Sequence, residues 1–268
     1  MRDRFRYRDA RIRIVRVENS FIPVDGVGEK TERKLWRAGV TTWEDFDDSV
    51  SVVGPTRIDR IQRFVADARD RLAAGDADYF YRQFPGGCRW RLYENFRDDA
   101  CFFDIETTGL SKYRDRVTTV SLHRDGDTRT LVRDEDLCPR RLRRELSEPS
   151  LLVTFNGASF DVPFVERAFD LSIDTPHLDL RYPCRQLGWT GGLTAAERAA
   201  GVERERPDIS GRDAVRLWHE YERGNRNALE TLVEYNREDA ANLRPVADAV
   251  VEHLHRQVFE SVRSDVNR

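Results

Sequence analysis

The most regular patterning in the chain begins near residue 100. From there, short apolar runs alternate with stretches whose apolar residues recur at helical spacing. Strands are predicted over 100–105, 116–123 and 127–132, the last two joined by Asp125-Gly126-Asp127, a hairpin signal. A helix follows over 139–147, then a strand over 151–156, a helix over 161–168 and a strand over 177–181. Helical patterns then fill 193–200, 211–222, 226–235 and 236–257, with Pro245 placed to kink the last of these or to start a new helix. Three antiparallel strands followed by α/β units predict an α/β fold with a mixed sheet flanked by helices.

The first hundred residues are patterned differently. Val24-Asp25-Gly26-Val27-Gly28 leads into a helix over 29–38, Gly39 ends it, and Thr41 or Thr42 is placed to cap the next helix before Trp43 and Phe46. Val53-Gly54-Pro55 precedes a second amphipathic helix over 57–72. Residues 19–75 thus resemble a helix-hairpin-helix unit, a small all-α domain. In that motif the glycine hairpin, here Gly26 and Gly28, offers backbone N–H groups at a helix N-terminus to a phosphate. Nine basic against ten acidic residues argue against strong DNA binding, so phosphate contact and mere packing are equal readings. Residues 76–99 read as a connector, with Trp90 and Tyr93 packing on the following domain. Residues 1–18 carry seven arginines against three acids, a basic arm in which Arg11 to Val17 alternates like a short strand. Residues 258–268 read as a tail.

Composition narrows the class. In 268 residues, 39% hydrophobic content is enough for a core, while 35% charged residues predict a heavily charged surface. Lysine occurs only at Lys30, Lys34 and Lys112, so the basic residues are nearly all arginine. A net charge of −3 gives no global nucleic-acid signature. Cys88, Cys101, Cys138 and Cys184 have no C-x-x-C spacing and read as free thiols in a reducing compartment. No signal peptide or apolar run near 18 residues is evident, which predicts a cytoplasmic protein with no membrane partner.

The candidate chemistry centres on Phe103-Asp104-Ile105-Glu106-Thr107-Thr108-Gly109. In a strand, alternate side chains share a face, so Asp104 and Glu106 point the same way. Adjacent carboxylates repel unless a cation lies between them, and hard divalent ions such as Mg²⁺ take carboxylate oxygens by preference. A lone D-x-E pair is more simply a solvated strand end. Two further stretches change that: Asn156-Gly157-Ala158-Ser159-Phe160-Asp161 after an apolar strand, and Tyr235-Asn236-Arg237-Glu238-Asp239 within a long helical pattern.

Taken in order, Asp104 with Glu106, Asn156 to Asp161, and Tyr235 four residues before Asp239 resemble the three exonuclease motifs of the DEDD superfamily. Tyr-x-x-x-Asp is similar to its tyrosine subclass, and the nearer likeness is to YprB-type ribonuclease-H-like proteins, carried by Gly192-Leu193, Ala196-Glu197-Arg198, Gly201-Val202 and Tyr235 to Asp239. The resemblance covers about 99–255. It implies a ribonuclease-H-like fold over 100–257 whose first strand is central to the sheet. It also implies four acids, Asp104, Glu106, Asp161 and Asp239, holding two ions, Mg²⁺ or Mn²⁺. Tyr235 would orient the attacking water, and Thr107, Thr108 and Gly109 would contact nucleic acid at the terminal nucleotide. Asn156 reads either as fixing the loop that carries Asp161 or as a nucleic-acid contact. The implied activity is metal-dependent hydrolysis of phosphodiester bonds, a 3′–5′ exonuclease acting on DNA or RNA with a single strand or 3′ end favoured. Two alternatives stand beside it: a ribonuclease-H-like module that binds nucleic acid without cutting it, and a structure-specific endonuclease directed by the helix-hairpin-helix. Protein partners are not specified by the sequence. Among other polar residues, Asp179 reads either as a support for the site or as a strand-end turn. Glu238 reads as solvated surface, Arg198, Arg204 and Arg206 as surface charge ahead of the alternative of phosphate contacts, and His253 and His255 as unsuited to a shared metal.

Overall fold

The computed structural model describes residues 15–262. Most of the basic arm and the end of the tail lie outside the described residues. The described end of the strand expected over 11–17 is not a strand, because Val17–Asn19 forms a 3₁₀ turn.

In chain order, α1 (Glu29–Arg37), α2 (Pro55–Ala73), α3 (Ala77–Gln83) and α4 (Tyr93–Phe96) precede the sheet. Then come β1 (Ala100–Thr107), β2 (Val117–Arg124), β3 (Asp127–Val132), α5 (Pro139–Ser147), β4 (Leu151–Thr154), α6 (Asp161–Phe169) and β5 (His177–Asp179). Helices α7 (Arg181–Gln186), α8 (Leu193–Ala200), α9 (Gly211–Glu222) and α10 (Arg226–His255) follow. The strand order is β3-β2-β1-β4-β5, with β1 central, β1–β2 and β2–β3 antiparallel, and β4 and β5 parallel to their neighbours. This is the mixed, ribonuclease-H-like sheet flanked by helices. Asp125 and Gly126 both have positive φ, 55° and 80°, as a two-residue primed hairpin between twisted strands requires.

The alternation of β1 sorts the core into two faces. Cys101, Phe103 and Ile105 pack with Leu142, Leu146, Phe164 and Val165 of α5 and α6. Ala100 and Phe102 face the other way, into a cluster with Leu243, Val246, Ala247, Val250, Val251 and Leu254 of α10. By the same period of two, Asp104 and Glu106 lie on the α10 face. The two helical patterns expected over 226–235 and 236–257 are one 30-residue helix through Pro245. Proline removes one N–H from the helical ladder. The wholly buried residues on both sides of it hold the helix continuous. A π-helical turn, Arg256–Glu260, follows, and Phe259 meets Trp36 edge-on at 5.0 Å, so the chain stays packed past residue 257.

The expected connector is itself folded. Phe80, Phe84, Trp90, Leu92, Tyr93 and Phe96 are buried in the same cluster as α1, α2 and α10. Tyr93 donates its hydroxyl to Asp248 of α10 at 2.8 Å, and its ring lies 6.3 Å from Phe102. In the N-terminal helical region, Arg57 donates to the Gly26 carbonyl at 3.0 Å and Arg60 pairs with Asp25 at 2.8 Å, which brings the two glycine turns together. No described helix is long and apolar enough to cross a membrane.

Candidate active site

The site is assembled where β1 outruns β4. Parallel pairing between them ends at Phe102 with Val153, so beyond it the β1 edge has no strand partner on that side. Asp104 and Glu106 lie on this stretch, beneath α10. Asp239, on α10, comes down on them: one carboxylate oxygen from each of Asp104, Glu106 and Asp239 can be chosen so that all lie within 4.8 Å of one another. The structure therefore brings together three of the four acids singled out in the sequence.

Asp161 stands just outside that trio. It opens α6, on the opposite face, but its carboxylate reaches the exposed strand edge and accepts the Ile105 N–H at 3.2 Å. It still feels the group: burial, and then the charge of Asp104, push its carboxyl well above the usual range. The loop carrying it is tightly made. Gly157 donates its N–H to the Thr154 hydroxyl at 3.1 Å, and a Cβ at 157 would stand 2.6 Å from that of Thr154. Asp179, at the end of β5, accepts the N–H groups of Asn156 at 2.7 Å, Ala158 at 3.1 Å and Arg181 at 3.0 Å. Of the two readings of Asp179, the structure favours the supporting one. Asn156 adopts a φ of 68°, and its side-chain oxygen accepts from Ser159 and Arg181.

Burial governs the electrostatics. Asp104 is pushed up to about 7 by desolvation, against a 2.7 Å hydrogen bond from Asn236 and the nearby Arg204 charge, both of which favour the carboxylate. Glu106 is held well above the usual carboxylate range, by desolvation and then by the charges of Asp104 and Asp161. Tyr235, one helical turn before Asp239, is buried, and its phenol is pushed up to about 12 by desolvation and then by the charge of Glu106. It is thus a protonated hydrogen-bond donor at neutral pH.

Several partners were not legible as such in the sequence. Arg204, read as surface, is buried: it forms an ion pair with Asp239 and lies 2.9 Å from Glu197, itself 1% exposed. Its guanidinium carbon is 5.5 Å from the Tyr235 ring centroid. Glu238, also read as solvated, accepts the backbone N–H groups of Glu205 and Arg206 and so ties down the segment that carries Arg204. Asn236, buried between Asp104 and the Thr119 hydroxyl, links α10 to β1 and β2. Nothing in the sequence marks Glu197 and Arg204 as buried, because a chain this rich in charge gives a charged residue no local sign of its partner.

Thr107 donates its hydroxyl to the Gly109 carbonyl at 2.6 Å, and Thr108 exchanges hydrogen bonds with Arg116, closing the turn after β1. A Cβ at Gly109 would lie 2.6 Å from the Asp115 carboxylate, so any larger residue there would displace the Asp115 side chain, which accepts the Ser111 N–H. Gly26 and Gly28 belong to the N-terminal glycine turn, which is not part of this site. His253 and His255 are engaged elsewhere: His255 accepts the Val15 N–H at 3.0 Å.

The donor set is all oxygen, and Asp239 Oδ1, though beside Arg204, completes no hydrogen bond. The clustered acids Asp104, Glu106 and Asp239, with Asp161 at their edge, have one guanidinium near them, that of Arg204, which pairs with Glu197 and Asp239. Such a group suits a hard divalent cation.

An RNase_H superfamily model matches residues 101–251. No curated protein matches the chain. Among solved structures, a family B DNA polymerase from the hyperthermophilic archaeon Pyrobaculum calidifontis is similar at 17% identity and TM-score 0.49, over 60% of this chain and 25% of the polymerase, so the chain spans about a quarter of that protein's length. Brucella melitensis NrnC bound to pGG is similar at 17% identity and TM-score 0.44, over 65% of this chain and 83% of NrnC. A nuclease in its apo form is similar at 21% identity and TM-score 0.44, over 63% and 79%. The family model covers more than half the residues and includes the three clustered acids: the chain belongs to the RNase_H superfamily.

Proposed function

We propose that this protein is a metal-dependent nuclease, a 3′–5′ exonuclease of the tyrosine subclass of the DEDD superfamily and of YprB type, acting on DNA or RNA. The observation that carries the reading is the approach of Asp104, Glu106 and Asp239 within 4.8 Å on one face of the sheet. A buried cluster of acids with a single base is costly for a fold that has no use for it.

Asp104, Glu106 and Asp239 would hold Mg²⁺ or Mn²⁺, with Asp161 at the edge of the site completing the set for a second ion. When bound, such ions supply Lewis-acid stabilisation of the charge that develops on a phosphate. The remaining work belongs to the chain. Asn236 holds Asp104 in orientation from α10. Asp179 fixes the loop that presents Asp161. Tyr235, protonated at neutral pH, offers its hydroxyl to orient water at the phosphorus. Arg204 offsets part of the carboxylate charge. Because the acids are raised, loading the site is linked to proton loss from them.

Thr107, Thr108, Gly109 and Asn156 are proposed to meet the terminal nucleotide, and the turn at Gly26 and Gly28 to meet a phosphate further off. The division into a helical unit over 19–75, a connector over 76–99 and a nuclease domain over 100–257 is part of the same proposal, as is a cytoplasmic setting. The test is cleavage of 5′-labelled single- and double-stranded DNA and RNA with Mg²⁺, Mn²⁺ or chelator. The reading expects metal-dependent ladders shortening stepwise from the 3′ end. Internal fragments appearing at once would instead assign an endonuclease. Binding without cleavage would assign the non-catalytic module.

A further inference from the structure

A groove of about 670 Å³ lies beside the active-site loop, between the folded connector and α7. Its lining includes Tyr81, Arg89 and Trp90 from the connector, Ala158 from the loop, and Tyr182 and Arg185 from α7. Ala158 is three residues before Asp161, so one wall of the groove is also part of the candidate catalytic loop.

The chemistry of the lining is specific. Tyr182 leaves 53% of its surface exposed at the groove. Arg89 lies over the Tyr81 ring, its guanidinium carbon 3.8 Å from the ring centroid, and donates its Nε–H to the Tyr81 carbonyl at 3.0 Å. Neither Arg89 nor Arg185 forms an ion pair with a carboxylate among the described residues. The one acid in the lining, Asp179, already accepts three backbone N–H groups. The groove is therefore aromatic and net positive, in a chain whose net charge is −3.

We propose that this groove holds the single-stranded part of a nucleic-acid substrate, with bases stacking on Tyr182 and on the Arg89–Tyr81 pair and phosphates facing Arg89 and Arg185. The proposal rests on the nuclease reading above and extends it from the cleavage point to the strand leading away from it. Stacking platforms combined with cations are how sequence-tolerant single-strand grooves work. An acidic peptide would leave the rings without partners. A neutral small molecule would leave the arginines without theirs. A duplex keeps its bases stacked on each other and cannot offer them to the rings. The groove also gives the connector a use that its buried aromatics alone do not explain: it forms the wall that the sheet domain lacks.

The test is equilibrium binding by fluorescence anisotropy, in chelator, of labelled single strands: a trinucleotide and one of about ten nucleotides, enough to run from the site through the groove. Chelator removes turnover, so the result does not depend on whether the carboxylates cleave. The intact protein is expected to bind the longer strand more tightly than the trinucleotide. In the double variant Tyr182→Ala, Arg185→Ala that gain from length should fall by about tenfold, in line with the loss of one stacked base and one phosphate contact. Both positions are exposed, and an unchanged melting temperature would show that the fold is intact. If folding suffers, Arg185→Glu alone carries the test, with the same loss expected. Wild-type protein that gains nothing from length, or variants that keep the gain, would overturn the proposal. Equal weakening of both strands would overturn it as well, because the effect would then belong to the carboxylate site.

Discussion

Two buried ionic clusters in this molecule invite opposite conclusions. In the first, Arg91 and Glu32 are 2% and 1% exposed. Arg91 donates to both Glu32 oxygens and to the Ser20 hydroxyl, each at 2.9 Å, while Glu32 also accepts the N–H groups of Phe21 and Ile22. One charge meets one charge, and the carboxylate is nearly filled with donors. The cluster ties α1 to the connector, as a fastening. In the second, Asp104, Glu106 and Asp239 cluster with Asp161 at their edge, and Arg204 pairs with Asp239 and Glu197. There the carboxylate oxygens Asp239 Oδ1 and Glu197 Oε2 complete no hydrogen bond, while an unfilled guanidinium Nε is common to Arg91 and Arg204. Burial is shared, and balance is what differs. A balanced buried pair is architecture, whereas a buried excess of one sign is a place for an ion of the other.

The contrast can be broken most forcefully at Asp104. Asp104→Ala should bring cleavage down by about 10⁴-fold or more, over 5 kcal/mol of transition-state stabilisation. The same variant should melt no lower than wild type in metal-free buffer, since it relieves repulsion. Rates on a labelled strand and a melting curve check both halves. The first cluster should respond in the reverse sense. Arg91→Met leaves Glu32 buried without its cation and should cost about 3–5 kcal/mol in chemical denaturation. Pairing it with Glu32→Gln should recover part of that loss.

Tyr235 gives a smaller effect that sharpens the second cluster. Tyr235→Phe keeps the ring and removes the hydroxyl, so the rate should fall by about 10- to 1000-fold with melting unchanged. A silent Phe variant combined with an unstable Tyr235→Ala would make this residue a core aromatic only.

The smallest effect is a pH dependence of stability in the metal-free protein. Asp104 is raised to about 7 in the folded state, so between the ordinary carboxylate range and about 7 the folded state binds more protons than the unfolded one. Stability should therefore fall as pH rises through that window, by something on the order of 1 kcal/mol after screening by water at the site. Added Mg²⁺ should flatten the slope. Denaturant midpoints at acidic, neutral and alkaline pH measure it.

Most of the sheet was legible because its strands announce themselves twice, by apolar runs and by turn residues. The hairpin at Asp125-Gly126 shows this, and so do helices such as 139–147, 193–200 and 211–222, whose expected bounds coincide with those observed. Asp104 and Glu106 were legible as a pair through the period of two in β1, whereas Asp161 and Asp239 were picked out by the likeness of the three motifs, in order, to those of the DEDD superfamily. The connector was not, because its buried aromatics follow no single period: α3, a 3₁₀ turn over Gly86–Leu92 and α4 each change the angle between successive side chains. Helix α7, only six residues long and containing Pro183, was missed for a similar reason. Arg204 was misplaced because a charged residue in a chain this rich in charge reads as solvent-facing. Its burial depends on Glu197 and Asp239, brought to it by two different helices, α8 and α10. Pairing of that kind is a tertiary fact with no local trace.

The most direct test of the contrast is to titrate Mn²⁺ or Mg²⁺ into the full protein by calorimetry, with Asp104→Asn and Arg91→Met measured alongside. The account predicts divalent-ion binding to wild type, its loss or severe weakening in Asp104→Asn, and its retention in folded Arg91→Met. Wild-type protein that binds no divalent ion, or Asp104→Asn that binds as wild type does, would contradict it.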